Sequence, residues 1–493
     1  MAKTVAQLFG GIDCTVLGNP DDEVTGIAYR SDKVQPGNAF FCIVGLKSDG
    51  HSFAQDAIDH GAKVIVCERK VYLADATDVT EVVVSDTRKA MAQVAANYYD
   101  NPSQAFSLVG ITGTNGKTTT TYLVEHIAKR CGKRTGVIGT VGIVVDGKKE
   151  HAEHTTPESP DLQATFAKMR DAHVDTVAME VSSHALDLLR TWGTTFAVTA
   201  FTNLTQDHLD YHHTFEAYFE AKARLFSKEY PAKRVVSIDD KWGKELLRRC
   251  SAADENVISV GWDQTAHIHP VNVDYEPTHT SVELDVRGSR VKFDYPLVGR
   301  FNVSNVMTAF AIGMQLGFSQ AGIIAALEEA PQVPGRLERV SADHNGGVSV
   351  FVDYAHTPDA LQKAMASIQN ITKGRTIVVF GCGGDRDATK RSIMGRIALG
   401  ADYAVVTSDN PRTEDPLAII NDIVSGMGEG TDHFEIEPDR RLAIAAAMKH
   451  AQSGDSILIA GKGHEDYQLV GDKVLSFDDR VVAAEELERA FGE

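Results

Sequence analysis

The sequence predicts an α/β protein of three domains, and three observations predict it. At 493 residues the chain exceeds what one hydrophobic core organises, since domains run to roughly 150 residues. Beyond about residue 106, short apolar strands alternate with helical stretches, the rhythm of a mostly parallel sheet covered on both faces. Most of those strands run straight into polar loops, where such sheets gather ligands. A hydrophobic fraction of 43% suits a globular chain, and no apolar run approaches the ~18 residues of a membrane span, which excludes an integral membrane protein. The stretch Met1 to Gln7 lacks an apolar signal core, and the six cysteines (Cys14, Cys42, Cys67, Cys131, Cys250, Cys382) show no CxxC pairing. A cytoplasmic location and free thiols are therefore expected. A net charge of −19 argues against nonspecific nucleic-acid binding, so anionic ligands must be held by local arginines, lysines, metal and helix N-termini.

The first hundred residues carry short β-rich runs at 39–44, 63–67 and 81–84 between turns such as Gln35-Pro36-Gly37-Asn38, with a helix around Met91 to Tyr99. This predicts a small N-terminal α/β domain, residues 1–102. The middle third predicts buried strands at 176–181, 196–201 and 234–238, helices at 118–129 and 216–225, and a helical block at 302–327. It is expected to form a central P-loop-type parallel-sheet domain, 103–332, closed by Pro331-Gln332-Val333-Pro334-Gly335. A Rossmann-like α/β domain, 333–493, follows from strands at 348–353, 376–380, 403–407 and 457–460. Each ends in a polar loop: Tyr354 to Pro358, Gly381 to Arg386, Ser408 to Arg412 and Gly461 to Glu465.

The run Leu108 to Thr121 leads an apolar strand through Gly113-Thr114-Asn115-Gly116 into Lys117, Thr118 and Thr119 at a helix start. Glycines let backbone N–H groups converge on an anion, the helix N-terminus adds positive potential, Lys117 reaches outer phosphates and Thr118 can face Mg²⁺. A nucleoside triphosphate is the expected ligand; a ligand-free turn is the plain alternative. A standard P-loop needs glycine six residues before the lysine, where this chain has Ile111, so a generic kinase or GTPase loop fits poorly. Glu180 ends a buried strand and needs a cation, either a metal or a neighbouring arginine. His208 lies among Asp207, Asp210, His212 and His213; the crowd alone suggests zinc, whereas a triphosphate calls for Mg²⁺ and oxygen ligands. For His212 and His213 a structural or solvated role is expected. Lys222, by itself, reads as a solvated helix lysine.

These motifs resemble the Mur ligases, the ATP-dependent family that adds amino acids to the peptidoglycan precursor. The resemblance spans the whole chain and rests on Gly113 to Thr118, Glu180-Val181-Ser182-Ser183-His184-Ala185-Leu186, Asn203 to His212, Pro334-Gly335-Arg336-Leu337-Glu338 and Asp353-Tyr354-Ala355-His356-Thr357-Pro358. It implies Mg²⁺ at Thr118 and Glu180, a second ion at His208, and Lys222 as a carbamate whose oxygens help hold metal. It implies Asn302, Arg336 and Asp353 on the nucleotide. It also implies Ser31, Thr155, Thr156, Ser182 and Arg190 on a UDP-sugar, although many relatives read Asp-Ser-Arg where this chain has Arg30-Ser31-Asp32.

Asp409-Asn410-Pro411-Arg412 resembles the signature of members that add meso-diaminopimelate, with Arg386, Gly461 and Glu465 around the same amino acid. A guanidinium at Arg412 gains a charge-assisted pair with the extra carboxylate of diaminopimelate but meets only an ammonium on lysine. The expected reaction joins this amino acid to UDP-N-acetylmuramoyl-L-alanyl-D-glutamate through an acyl phosphate, with ATP as co-substrate and no residue identified as general base. A monomer acting without nucleic acid or membrane is expected. The alternatives are a lysine-adding ligase of the family and, further off, a P-loop kinase or nucleotide switch; folylpolyglutamate synthase shares the ATP core but not the first domain or the 409–412 loop.

Overall fold

The computed structural model describes residues 2–45, 48–71, 78–150, 152–251, 256–340, 346–428 and 432–492. They form three main sheets, one per α/β domain. The first has strands in the order Cys14–Leu17, Thr80–Val84, Val64–Cys67, Asn38–Phe41, Gly26–Ala28, parallel except for Cys14–Leu17. The strand expected to run to Val44 ends at Phe41, where the backbone folds on itself through Ile43 N–H to Phe41 O (2.9 Å). Helix Thr87–Tyr98, capped by Asp86, packs on this sheet.

The second sheet is built around β1 (Ser107–Thr112), which feeds α1 (Lys117–Arg130), then β2 (Thr135–Gly139) and β3 (Thr176–Glu180), followed by the short α2 (Ser183–Asp187). β4 (Val198–Phe201), α3 (Phe215–Ala223) and α4 (Arg300–Gln315) complete the site-bearing part. Its eleven strands run Lys148–Glu150, Gly142–Val145, β2, β3, β1, β4, Lys233–Ser237, Val257–Val260, Ile268–Tyr275, Thr280–Val286, Ser289–Tyr295. From β2 to Ile268–Tyr275 neighbours are parallel, and both outer edges are antiparallel ribbons. The reason is connection length: the few residues linking Gly139 to Gly142, or Tyr275 to Thr280, allow a hairpin but no crossover. Alternate residues of β1 enter opposite cores, Leu108 with Val177 and Phe166, Val109 and Ile111 with α1 and α4, as a sheet buried on both faces requires. The predicted 302–327 helical block is two helices, α4 and Gln320–Glu328, parted at Gly317 (φ +87°).

The third sheet carries β5 (Ser349–Asp353), α5 (Pro358–Gln369), β6 (Thr376–Phe380), α6 (Thr389–Ala398), β7 (Tyr403–Val406), α7 (Arg440–His450), β8 (Ser456–Ala460) and α8 (Asp479–Phe491). Its order is Glu338–Arg339, β5, β8, β6, β7, Phe434–Ile436, parallel but for the first strand. The adjacent β8, β6 and β7 place their following loops side by side. A hairpin, Tyr467–Val470 with Lys473–Ser476, lies outside the sheet. Among the described residues no helix is long and apolar enough to cross a membrane.

Candidate active site at the sheet edges

The phosphate loop is held open by its neighbours across β4. Thr114 N–H donates to Asn203 O (2.8 Å), Asn115 N–H to Asn203 Oδ1 (3.0 Å), and Thr202 Oγ1 to Asn115 O (2.6 Å). Gly113 (φ +149°) and Gly116 (φ +85°) are required: a Cβ would lie 1.9 Å from Thr202 Oγ1 at the first and 2.3 Å from Asn305 Oδ1 at the second. Two cations converge on one carbonyl: Lys117 Nζ donates to Gly113 O at 3.0 Å and Lys222 Nζ at 2.8 Å.

Lys222 contradicts the solvated-helix reading of its sequence context. Its side chain is 1% exposed, lies over the Tyr218 ring at 4.6 Å, and desolvation, reinforced by the Lys117 charge, pushes its pKa well below the usual lysine range. Burial likewise lowers Lys117. A lysine that keeps its amine neutral is a nucleophile, which is the state CO₂ captures as a carbamate.

Glu180, also 1% exposed, accepts from Thr118 Oγ1 (3.1 Å), Thr140 N–H (2.9 Å) and Thr140 Oγ1 (3.1 Å). No arginine pairs with it among the described ion pairs. A hydroxyl and a carboxylate side by side suit Mg²⁺, and Lys222 fits the same ion only as a carbamate, since an ammonium would repel it. Among the described residues no three His, Cys, Asp or Glu side chains gather as a metal cage. His208 lies in the histidine-rich loop, left-handed (φ 51°) and edge-on to His184 (4.8 Å), and burial lowers its pKa. His212 is structural, stacked on Tyr218 and bonded to Ser183 Oγ (2.9 Å), and His213 is exposed.

Arg336 crosses from the third domain, placing Nη2 3.3 Å from Thr118 Oγ1 and its guanidinium over Tyr354 (4.7 Å). Its Nε is buried without a hydrogen-bond partner among the described residues. Asp353 accepts from Leu337 N–H (2.7 Å); burial raises its carboxyl to about 6 against the pull of Arg336. Asn302 is 1% exposed and bonded to Val298 O and Asn305. Sequence reasoning missed Asp359, which accepts from Asn115 Nδ2 and Thr205 Oγ1, both 3.2 Å, and so ties α5 to the phosphate loop. Its only signal was its place after the Thr357-Pro358 motif.

Thr155, Thr156, Ser182 and Arg190 come together. Thr156 Oγ1 donates to Glu180 O (2.9 Å) and accepts Ser182 N–H (3.1 Å), Ser182 Oγ caps α2, and Arg190 holds Thr156 O (2.9 Å) and Glu158 (2.8 Å). Thr155 Oγ1 meets Thr140 Oγ1 (3.2 Å). Ser31 does not join them; it opens a short turn, Ser31–Lys33, and its two neighbours, Arg30 and Asp32, pair with each other at 2.8 Å on the surface. The first domain instead reaches the second through Tyr29 OH to Asp161 Oδ2 (2.7 Å).

The third-domain loops form one polar pocket. Asn410 Nδ2 donates to Glu465 Oε2 (2.8 Å), while Lys462, wholly buried, reaches Asn410 Oδ1 (3.2 Å) and Glu465 (3.3 Å). Asp409 is buried against Gly461, where a Cβ would lie 2.4 Å from Asp409 Oδ2. Burial raises the Glu465 pKa. Arg412 (φ 52°) gives Nη1 to Gly384 O (2.7 Å), leaving Nε and Nη2 without a protein partner among the described hydrogen bonds. Arg386 is exposed at the same rim, bonded only weakly to Asp385 O (3.3 Å). Beneath the pocket, the fully buried Arg440–Asp479 pair (2.6 Å) holds Ser408 O and Ala460 O, the residues just before Asp409 and Gly461. Lys462 lies within the Gly461 to Glu465 loop read from sequence but was not singled out there, and Arg440, at the start of α7, was not found from sequence.

Known proteins share this organisation. The Mur ligase family, catalytic domain, matches residues 23–99; the Mur ligase middle domain matches 111–313; and the Mur ligase, glutamate ligase domain matches 335–463. The UDP-N-acetylmuramoyl-L-alanyl-D-glutamate--2,6-diaminopimelate ligase of Clostridium botulinum is 43% identical over 94% of this chain and 95% of its own, and that of Geobacillus thermodenitrificans 44% over 94% and 95%. A solved structure of an enzyme of that name covers 99% of both chains at 30% identity with a TM-score of 0.72. The Thermotoga maritima MurF ligase complexed with ADP shares the fold, with a TM-score of 0.59 at 18% identity over 95% of this chain and 97% of that one. With all three domains matched in order, and relatives 43% and 44% identical along nearly its full length, this chain belongs to the Mur ligase family.

Proposed function

We propose that this chain is an ATP-dependent ligase that joins meso-2,6-diaminopimelate to UDP-N-acetylmuramoyl-L-alanyl-D-glutamate in the cytoplasm, as a monomer. Family membership sets aside the kinase and switch readings, and the relatives' names favour diaminopimelate over lysine. The observation that carries the choice of amino acid is Arg412, whose guanidinium has Nε and Nη2 free beside the Asn410–Glu465–Lys462 cluster. The domains are assigned as 1–102 for the UDP-sugar, 103–332 for ATP and 333–493 for the amino acid.

A carboxylate does not accept an amine directly. The γ-phosphoryl of ATP therefore passes to the D-glutamate side-chain carboxylate, and the amine displaces phosphate from the acyl phosphate. Gly113 to Thr119 cradle the phosphates, and Lys117 moves from Gly113 O to the transferring phosphoryl. Arg336 binds phosphate through its orphan donors, and Asn302 and Asp353 hold the nucleoside. Thr118, Glu180 and carbamylated Lys222, with His208 at a second ion, hold Mg²⁺, which when bound neutralises charge on the phosphates. Positioning and electrostatics supply most of the rate in such transfers. Ser31, Thr155, Thr156, Ser182 and Arg190 orient the acceptor; Arg386, Asp409, Asn410, Arg412, Gly461 and Glu465 orient the amino acid.

Phosphate release with ATP, Mg²⁺ and the UDP-muramoyl dipeptide tests this: turnover requires the amino acid, and diaminopimelate supports it while L-lysine does not. Release without any amino acid would sink the ligase reading; release with lysine alone would sink the specificity. A second expectation concerns pH. Burial holds the Asp353 carboxyl up at about 6, so the KM for ATP is expected to rise as pH falls through that value. Because the folded value lies above that of a free aspartate, about 3.8, ionising Asp353 costs stability, and that cost grows as pH rises from about 3.8 to about 6. Asp353→Asn should flatten the profile of KM against pH; an unchanged profile would move the titration elsewhere.

A further inference from the structure

Glu414 takes no part in the chemistry above, yet it stands at the junction of the two loops that carry Arg386 and Arg412. Both of its oxygens are gripped by Arg391 of α6, Oε1 by Nη2 at 2.8 Å and Oε2 by Nη1 at 2.9 Å. Arg391 is 2% exposed, and it also reaches Asp422 (2.9 Å) and Gly383 O (3.4 Å). Glu414 Oε1 accepts the N–H of Asp385 (2.5 Å), and the Asp385 carboxylate returns across the gap to Thr413 Oγ1 (2.8 Å) and Thr413 N–H (3.2 Å).

The backbones touch as well. Gly384 N–H donates to Asn410 O (2.9 Å), and a Cβ on Gly384 would lie 1.9 Å from Pro411 O. Asp385 (φ 53°) and Arg412 (φ 52°) are both left-handed, a conformation that costs a non-glycine residue energy unless its surroundings impose it. The clamp holds Asp385 through its N–H, while the Arg412 backbone is pinned by the neighbouring hairpin, its N–H donating to Leu469 O (3.1 Å) and its carbonyl accepting Gly471 N–H (2.7 Å). Arg391 has an electrostatic effect too: a free Glu414 carboxylate near Arg386 and Arg412 would compete with a ligand carboxylate for them, and the bidentate grip of Arg391 withholds it.

We propose that Glu414, clamped by Arg391, is a positioning residue for amino-acid selection: it locks the 383–386 and 410–414 loops into one unit, so that Arg386 and Arg412 together meet the second carboxylate of the amino acid. The inference rests on the functional reading above. The test is the ratio of kcat/KM for diaminopimelate to that for L-lysine in the full-length enzyme. Glu414→Gln should lower it roughly tenfold to a hundredfold, the scale of a small misplacement of binding groups, with the KM for ATP and for the UDP-muramoyl dipeptide unchanged. Thr413→Val, at an exposed position, removes the hydroxyl bond to Asp385 and keeps the backbone one, and should shift the ratio in the same direction by a smaller factor. A merely structural role would lower activity with both amino acids and leave the ratio alone. A ratio unchanged in both variants, with wild-type preference for diaminopimelate intact, overturns the proposal alone. No preference in the wild-type enzyme overturns the functional reading and the proposal with it.

Discussion

Replacing Lys222 with methionine is expected to abolish ligase turnover, by at least about 10²–10³-fold in kcat, the scale of losing one preorganised electrostatic group, without loss of thermal stability. The two halves of that expectation have one cause. As an ammonium, Lys222 would be 1% exposed with Lys117 donating to the same Gly113 carbonyl, so the fold disfavours its charge. Methionine fills a similar volume and removes that cost. What it cannot do is react: the neutral amine adds to CO₂, forming an N–C bond and releasing a proton, and the resulting carbamate supplies oxygens beside those of Thr118 and Glu180. The sign of the pH effect follows. With the folded pKa below 10.5, the unfolded chain binds the proton more readily, so the unmodified protein loses stability as pH falls from 10.5 towards the folded value. Labelled bicarbonate should give a carbamate signal in the wild-type protein and none in Lys222→Met. Full activity in the variant would remove Lys222 from the site.

Lys222 also shows where sequence reading stops. An amphipathic helix lysine is solvated by default; here it is buried because α3 packs under the phosphate loop, a contact between residues 109 positions apart. The phosphate loop itself was legible because strand, glycines, lysine and helix start are contiguous and each has a local reason. The third-domain loops were legible for the same cause, each directly following an apolar strand. Arg440 and Asp479, Arg391 and Glu414 were not, because in each pair neither residue carries a signal until the fold supplies the other, and Asn115, legible in the phosphate loop, gave no sign of its partner Asp359. The mostly parallel centre of the second sheet follows from the strand–helix alternation, whereas the antiparallel ribbons at its edges carry no directional signal, since apolar periodicity reports burial and not strand direction.

Arg412→Ala should lower kcat/KM for diaminopimelate by roughly 10² to 10⁴, two charged hydrogen bonds at about 1.5–3 kcal/mol each, while leaving the residual rate with lysine unchanged. The structure limits how that loss can arise. Nη1 is already committed to Gly384 O at 2.7 Å, so the ligand meets Nε and Nη2, an edge that presents two parallel donors to one carboxylate. Arg412→Lys should therefore recover little of the loss: an ammonium keeps the charge, but it does not keep the loop bond and the two-donor edge together. Alanine also leaves Gly384 O without its partner, and a general loosening of the pocket would follow if that were the main effect. The lysine rate separates the cases. Loss with diaminopimelate alone assigns the guanidinium to the second carboxylate; equal loss with both amino acids assigns Arg412 to holding the loops and leaves Arg386 as the arginine that reads the substrate.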